Sequence, residues 1–147
     1  MELRLLSAKD APIIMEMAKN NPPLEEHTPY TYWVMCSYCN RCSYALFVDN
    51  QIIGYVMCVE NPNTVFVWQL CVLPEFRKNG YATILLNEVF DLAKTLHKNI
   101  QMTIEDDNAA SVGCFQKICT KYQCTMKVVG EVQNNSNHTE HIYRIDF

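Results

Sequence analysis

Several things are scarce in this sequence, and each scarcity removes a class of function. No apolar run in its 147 residues approaches the roughly 18 that a membrane-spanning helix needs. The opening Met1-Glu2-Leu3-Arg4-Leu5-Leu6 lacks the apolar core of a secretion signal, so a cytoplasmic protein is expected. Basic residues are few, 12 Lys and Arg against 16 Asp and Glu, for a net charge of -4 and a pI near 5.5. That balance argues against nucleic acid as a general partner, because phosphate backbones are bound by basic surfaces. There is no internal repeat and no low-complexity tract. Asn134-Asn135-Ser136 and Asn137-His138-Thr139 match the glycosylation sequon, but without a secretion signal they read as a polar loop.

A fourth metal ligand is also lacking. The eight cysteines include Cys36, Cys39 and Cys42, which form two overlapping C-x-x-C pairs. No second C-x-x-C or H-x-x-x-H follows to close a tetrahedral site, so no metal is expected. Most of the other cysteines lie inside apolar patterns, where a free thiol behaves as a small hydrophobe. A small redox or metal protein built on this cluster would show stoichiometric metal.

What is present describes an ordinary globular domain: 49% hydrophobic and 19% charged residues in a chain long enough to bury roughly 68–70% of its unfolded surface. Alternation at Glu2 to Leu5 predicts a first strand, and Ser7 with Asp10 imitates a capping box for a helix ending near Asn20 and Asn21. A polar loop from Leu24 to Pro29 follows. Spacing of Tyr30, Trp33, Val34, Tyr38 and Arg41 predicts a second helix from Tyr30 to about Cys42. Tyr44–Val48 and Ile52–Val59 read as a hairpin turning at Asp49-Asn50-Gln51. A nearly continuous apolar run, Val65–Leu73, predicts a central strand covered on both faces. A third helix follows from Gly80 to Leu96, then a strand from Ile100, a helix capped at Asp106-Asp107-Asn108, and two final strands, roughly Cys124–Val129 and His141–Asp146. The element order is that of an α/β domain with a mixed sheet.

The junction after the central strand carries the clearest chemistry. Apolar sequence stops at Pro74 and passes through Arg77-Lys78-Asn79-Gly80-Tyr81-Ala82 into a helix. Backbone N–H groups at a helix start, unpaired within the helix, form a site for anionic phosphate. Gly80 lets the backbone approach such a group closely, and Arg77 and Lys78 add positive charge to an otherwise acidic chain.

Arg-x-x-Gly-x-Ala resembles the shared motif of the GNAT superfamily of N-acetyltransferases. A second block, Asn108-Ala109-Ala110-Ser111-Val112-Gly113-Cys114-Phe115, resembles that family's second motif, in which an Asn opens a helix and an aromatic follows seven residues later. The resemblance implies one GNAT domain over residues 1–147: a mixed, mostly antiparallel central sheet of about seven strands flanked by about four helices. It implies acetyl-CoA as co-substrate, held by the Arg77-to-Ala82 loop, by Asn108 and Phe115, and by the backbone of Cys71 and Val72, which would take the pantetheine arm as an added strand. The same strand could offer an N–H to the oxyanion formed when an amine attacks the thioester. Many members protonate the leaving thiolate with a Tyr where this chain has Phe115, which cannot donate. Ser111, Tyr81, Tyr30 and water are the stand-ins.

Three further blocks resemble one branch, the L-2,4-diaminobutyrate acetyltransferases of ectoine synthesis: Leu24 to Cys36, Thr64-Val65-Phe66-Val67-Trp68-Gln69-Leu70, and His138 to Ile145. A diamino acid brings one carboxylate and two ammonium groups, so acids and an aromatic wall are wanted, and one amine must lose its proton before it attacks. The resemblance implies site roles for Glu25, Tyr30 and Trp68, with His138 and Glu140 in the matching C-terminal block. The chain departs from the branch in carrying Glu25-Glu26-His27-Thr28 for Asp-x-Asn-Ser, in a phosphate loop poorer in glycine and in its shorter length. Its acceptor is therefore expected to be diaminobutyrate or a related small diamine. The alternative is a non-catalytic acyl-CoA binding or sensing module on the same fold. Family members often dimerise, so a homodimer is an expectation of the resemblance alone. His97 and His141 have no site argument.

Overall fold

The computed structural model describes the whole chain, Met1–Phe147. Seven strands, β1 (Glu2–Leu5), β2 (Tyr44–Val48), β3 (Gln51–Glu60), β4 (Thr64–Val72), β5 (Asn99–Glu105), β6 (Met126–Gln133) and β7 (Thr139–Ile145), form one sheet in the order β1-β2-β3-β4-β5-β7-β6. All neighbours are antiparallel except β4 and β5, which run parallel. Four helices flank it, α1 (Ala11–Lys19), α2 (Pro29–Tyr38), α3 (Tyr81–Thr95) and α4 (Ala109–Tyr122). This is the expected mixed, mostly antiparallel architecture. No helix is long and apolar enough to cross a membrane.

Local sequence explains the boundaries. Ser7 and Asp10 form the anticipated capping box ahead of α1, and buried Asp10 also takes a two-pronged ion pair from Arg4 at 2.7 and 2.9 Å. Asp49 and Asn50 both adopt positive φ, 50° and 63°, as a two-residue hairpin turn demands. Helix α2 ends at Tyr38, four residues before the expected limit near Cys42. There the Asn40 side chain leaves the helical path to donate to the Leu6 carbonyl at 2.5 Å, and Ser43 Oγ accepts from the Cys58 N–H at 2.9 Å.

The sheet divides the core in two. On one face α3 and α4 bury Leu85, Leu86, Val89, Phe90, Phe115 and Ile118 against Val65, Val67, Ile100 and Met102. On the other, α1 and α2 bury Ile14, Met17, Tyr32 and Cys36 against Ala45, Tyr55, Met57 and Cys71. Each large apolar side chain so buried contributes about 1.5–3 kcal/mol. Gly54 lets α3 settle close to the end of β4: a Cβ there would lie 3.0 Å from the Cys71 carbonyl oxygen and 3.3 Å from Leu85 Cδ1.

The same division disposes of the cysteine cluster. Cys36 belongs to the α1/α2 core and Cys42 to the α3/α4 core, so the two thiols lie on opposite faces of the sheet. All eight cysteines are free. Burial pushes the thiols of Cys36 and Cys42 up to about 11.

Candidate active site

The site begins with an irregularity in β4. Met57 of β3 pairs with Gln69 and Cys58 with Val67, so Trp68 is an extra residue, a β-bulge. A bulge reverses the alternation of side chains and can terminate pairing. Both happen here. Val65 and Val67 point into the α3/α4 core before the bulge, as Leu70 and Val72 do after it, whereas Trp68 and Cys71 pack on the α1/α2 side. Pairing of β4 with β5 ends at Val67 opposite Met102, although β5 continues to Glu105 alongside β7. From Trp68 to Val72 the β5-facing edge of β4 is open.

The gap is a cleft of about 150 Å³. Trp68, Gln69 and Leu70 line one side, and Thr103, Ile104 and Glu105 the other. The N-terminal half of α4 closes one end with Asn108, Ser111 and Phe115. Asn108 caps that helix, its Oδ1 accepting from the Ser111 N–H at 3.2 Å. The loop between α1 and α2 covers the cleft with Pro23, Leu24, Glu25 and His27, and the β6–β7 loop adds Asn134.

Three carboxylates face this space: Glu25, Glu105 and Glu140. Glu105 and Glu140 are directly opposite across β5 and β7, an arrangement that is unfavourable for like charges unless a cation or hydrogen-bond donors intervene. Asn134 Nδ2 donates to Glu105 at 2.6 Å and His138 Nδ1 lies 3.6 Å from it. Glu25 reaches over the cleft to the β6–β7 loop, accepting from the Asn135 N–H at 3.1 Å and its Nδ2 at 3.0 Å. Each carboxylate retains acceptor capacity for a further donor. Trp68 supplies the aromatic wall, its ring centroid 4.6 Å from His27 and 6.4 Å from Tyr32, stacked with the latter at 29°.

A buried polar chain runs beneath. Tyr55 hydroxyl donates to Gln69 Oε1 at 2.8 Å, and Gln69 Nε2 donates to the Tyr32 hydroxyl and to the Glu25 carbonyl, each at 3.3 Å. Burial raises the phenols of Tyr55 and Tyr32, so both stay protonated donors. Burial likewise pushes the Cys71 thiol up to about 11, which keeps it neutral beside the cleft.

Beyond the open edge the chain makes a short turn, Pro74–Phe76, and enters α3. Lys78 has φ 62° and Gly80 φ 81°. Gly80 is the residue before α3 and brings no side-chain cap, and a Cβ placed on it would meet nothing within 4 Å. Gly80, in the N-cap position, thus has no side chain to accept from the first amides of α3.

The sequence model of the acetyltransferase (GNAT) family matches residues 12–120. The chain belongs to the GNAT acetyltransferase family. Among curated relatives, the L-2,4-diaminobutyric acid acetyltransferase of Nocardia farcinica is 31% identical over 123 residues, 81% of this chain and 64% of that protein. The enzyme of the same name from Halomonas elongata is 29% identical over 131 residues, covering 84% and 67%. The chain thus spans about two thirds of the length of these relatives. The solved structure of a diaminobutyrate acetyltransferase from Paenibacillus lautus, in complex with L-2,4-diaminobutyric acid and coenzyme A, superposes with a TM-score of 0.89 over 99% of this chain and 93% of that one, at 23% identity.

Within this GNAT fold the residues singled out from sequence are distributed unevenly. Glu25, Trp68, Ser111, Asn108 and Phe115 all line the cleft. Cys71 and Val72 lie at the open end of β4, and Lys78, Asn79, Gly80, Tyr81 and Ala82 at the turn into α3. Tyr30 does not join them. It is 71% exposed and packs against Trp33 on the outer side of α2, because two helical steps, about 200°, separate it from inward-facing Tyr32. Aromatic residues stand on both faces of α2, and the position that the resemblance points to, Tyr30, lies on the outer one. Arg77 is also differently occupied. Its Nε donates to the Val72 carbonyl at 2.9 Å and its Nη2 to Asn21 Oδ1 at 2.9 Å, so the guanidinium of this exposed residue braces the turn.

Sequence reasoning missed Tyr32, Tyr55, Gln69, Glu105 and Asn134. Gln69 sat inside a recognised block without a role, and Tyr55 is indistinguishable from core in an apolar strand. A second basin of about 780 Å³ lies at the other end of β5, among Lys94, His97, Lys98, Asn99 and Arg144. Two of its cations are already paired, Lys98 with Glu60 and Arg144 with Asp146.

Proposed function

We propose that the protein is an acetyl-CoA-dependent N-acetyltransferase whose acceptor is L-2,4-diaminobutyrate or a closely related small diamine. One observation carries the reading: the cleft where β4 parts from β5 joins an unpaired strand edge to a pocket holding three carboxylates and a Trp. The names of the curated relatives support the same acceptor class.

The residues present fit acetyl-CoA. The open edge from Trp68 to Val72 has the length to accept an extended arm as an added strand, with the Val72 carbonyl at its end already held by Arg77. The uncapped start of α3, with Gly80 and the exposed Lys78 before it, suits a pyrophosphate. When bound, acetyl-CoA supplies the acyl group as a thioester. The rest is this chain's work. Glu105, Glu140 and Glu25 hold an ammonium group, and an ammonium beside carboxylates keeps its proton. The amine that attacks is then the one the carboxylates do not hold. Trp68 and Leu24 exclude water from one side. Ser111 is the one hydroxyl of the three stand-ins that lines the cleft, and it is proposed to pass a proton to the departing thiolate.

The same proposal takes residues 1–147 as one GNAT domain, acting in the cytoplasm and as a homodimer, the last read by sedimentation. Thiol release from acetyl-CoA across diaminobutyrate, ornithine, lysine and simple polyamines tests the function. Turnover should be highest with diaminobutyrate. Coenzyme binding with no thiol released by any amine would replace the reading with a non-catalytic acyl-CoA module.

A further inference from the structure

The loop between α1 and α2 carries Leu24, Glu25 and His27 over the cleft without regular structure of its own. It is fastened at few points. Asn21 is tied to Arg77 at the near end, and Thr28 caps α2 at the far end. In the middle, the Glu25 carboxylate is held from the β6–β7 loop by the Asn135 N–H and Nδ2 at 3.1 and 3.0 Å, and from the sheet side the Glu25 carbonyl meets two donors, Gln69 Nε2 at 3.3 Å and the Tyr32 hydroxyl at 3.5 Å.

Gln69 can serve the loop in one orientation only. Its side chain is buried, and a flipped amide would aim Oε1 at the Glu25 carbonyl oxygen, acceptor against acceptor. What fixes the amide is Tyr55 on the neighbouring strand. That phenol, fully buried, has Gln69 Oε1 as its partner at 2.8 Å, and donating there leaves Nε2 toward the loop. The chain Tyr55, Gln69, Glu25 carbonyl thus runs from the middle of the sheet to the roof of the cleft.

We infer that Tyr55 and Gln69 are positioning residues for the acceptor amine: a buried hydrogen-bond chain across β3 and β4 sets the height of the Glu25 segment over the cleft, and so sets acceptor affinity without touching the acceptor. The inference rests on the acetyltransferase reading above. It assigns no part to the coenzyme side: Gln69 lies on the open edge, but its side chain is spent on Tyr55, Tyr32 and the Glu25 carbonyl, and Tyr55 belongs to β3.

Tyr55→Phe and Gln69→Leu test it. In Tyr55→Phe, which leaves every cleft-lining residue in place, removing one buried hydrogen bond is expected to raise the KM for diaminobutyrate about threefold to tenfold, with the KM for acetyl-CoA and kcat unchanged. The double variant should be no worse than Gln69→Leu alone, since both act on one chain. Thermal stability should fall under either reading, whereas a merely structural role would lower kcat and leave the two KM values together. Hydrogen exchange reads the tether without any turnover. The peptide Leu24–Thr28 should exchange about threefold to tenfold faster in Tyr55→Phe, while the first turns of α3 keep the wild-type rate. Unchanged exchange in that peptide, or an equal rise in both KM values, overturns the inference. Faster exchange in a protein that acetylates no amine would instead overturn the functional reading and leave the tether standing.

Discussion

Arg77 offers a sharp test, because sequence and structure give its side chain different employment. As a phosphate ligand its guanidinium would wait in solvent for the coenzyme. In the structure it spans the Val72 carbonyl and Asn21 Oδ1, both at 2.9 Å. Asn21 is itself buried, with Nδ2 held by the Met17 carbonyl at 2.7 Å. Arg77→Leu therefore removes two charge-assisted hydrogen bonds and strands a buried amide oxygen. Hydrogen bonds to charged groups contribute about 1.5–3 kcal/mol each, and partial exposure of Arg77 favours the low end, so the coenzyme-free protein should lose about 2–4 kcal/mol. At this chain length 1 kcal/mol moves Tm by roughly 2–4 °C, for a fall of about 5–15 °C. Scanning calorimetry without coenzyme measures it. Arg77→Lys separates the alternatives further: it keeps the charge but cannot reach two acceptors at once, so Tm should fall nearly as far as with Leu. A coenzyme-free Tm within a degree of wild type, with coenzyme affinity weakened and Lys restoring it, would refute the brace.

Four other outcomes follow from the geometry. Gly80→Trp should abolish coenzyme binding in calorimetry at a fold cost of about 1–2 kcal/mol from left-handed backbone, since a Cβ there has open space but φ is 81°. Unchanged affinity would sink the pyrophosphate seat. Glu105→Gln and Glu140→Gln should each raise the KM for diaminobutyrate about tenfold in steady-state assays and leave a simple monoamine unaffected, because the amide keeps the Asn134 bond to Glu105 but not the charge. Ser111→Ala should lower kcat by about tenfold, less than the hundredfold or more usual for a general acid, because water can protonate a thiolate; equal kcat would remove Ser111 from the proton path. The Lys98 hydrogen bond at 2.5 Å holds the Glu60 carboxyl below its ordinary 4.5. That stabilisation is complete above the ordinary value and is lost as pH falls through the lowered one, so Lys98→Met should flatten the loss of Tm below about pH 4.5.

Much of the fold was legible because its signals are local. β2 was placed to the residue, α3 to within one residue at each end, and the start of α4 at its cap, by amphipathic periods and by Gly80 and Asn108. The turn into α3, the proposed seat of the coenzyme's pyrophosphate, was legible as a turn for the same reason: a Pro, a Gly and a helix start are neighbours in sequence. The acceptor side was not. Glu105 looked like the polar end of an alternating strand, and only the β5–β7 register sets it beside Glu140. Asn134 and Asn135 read as a solvated loop, yet they hold Glu105 and Glu25, the latter 110 residues away. Tyr30 and Tyr32 are two residues apart on a helix apolar on both sides, and nothing in its period says which side the sheet will take.

The bulge at Trp68 shows why an accurate strand assignment still understates a site. Val65 to Leu73 was expected to be an apolar strand covered on both faces, and the observed β4 differs by one residue at each end. Strict alternation along that strand would put Trp68 on the face opposite Gln69 and away from Cys71. One extra residue instead turns Trp68 to the side on which Gln69 meets Tyr32 and Tyr55, and it falls directly after the last β4–β5 pair, Val67 with Met102. The aromatic wall, the inward amide and the unpaired edge thus share one cause. An apolar run cannot reveal it, since Val-Trp-Gln-Leu reads the same with or without a bulge. The register against β3 decides, and that register is set by residues Gly54 to Glu60 on a different strand.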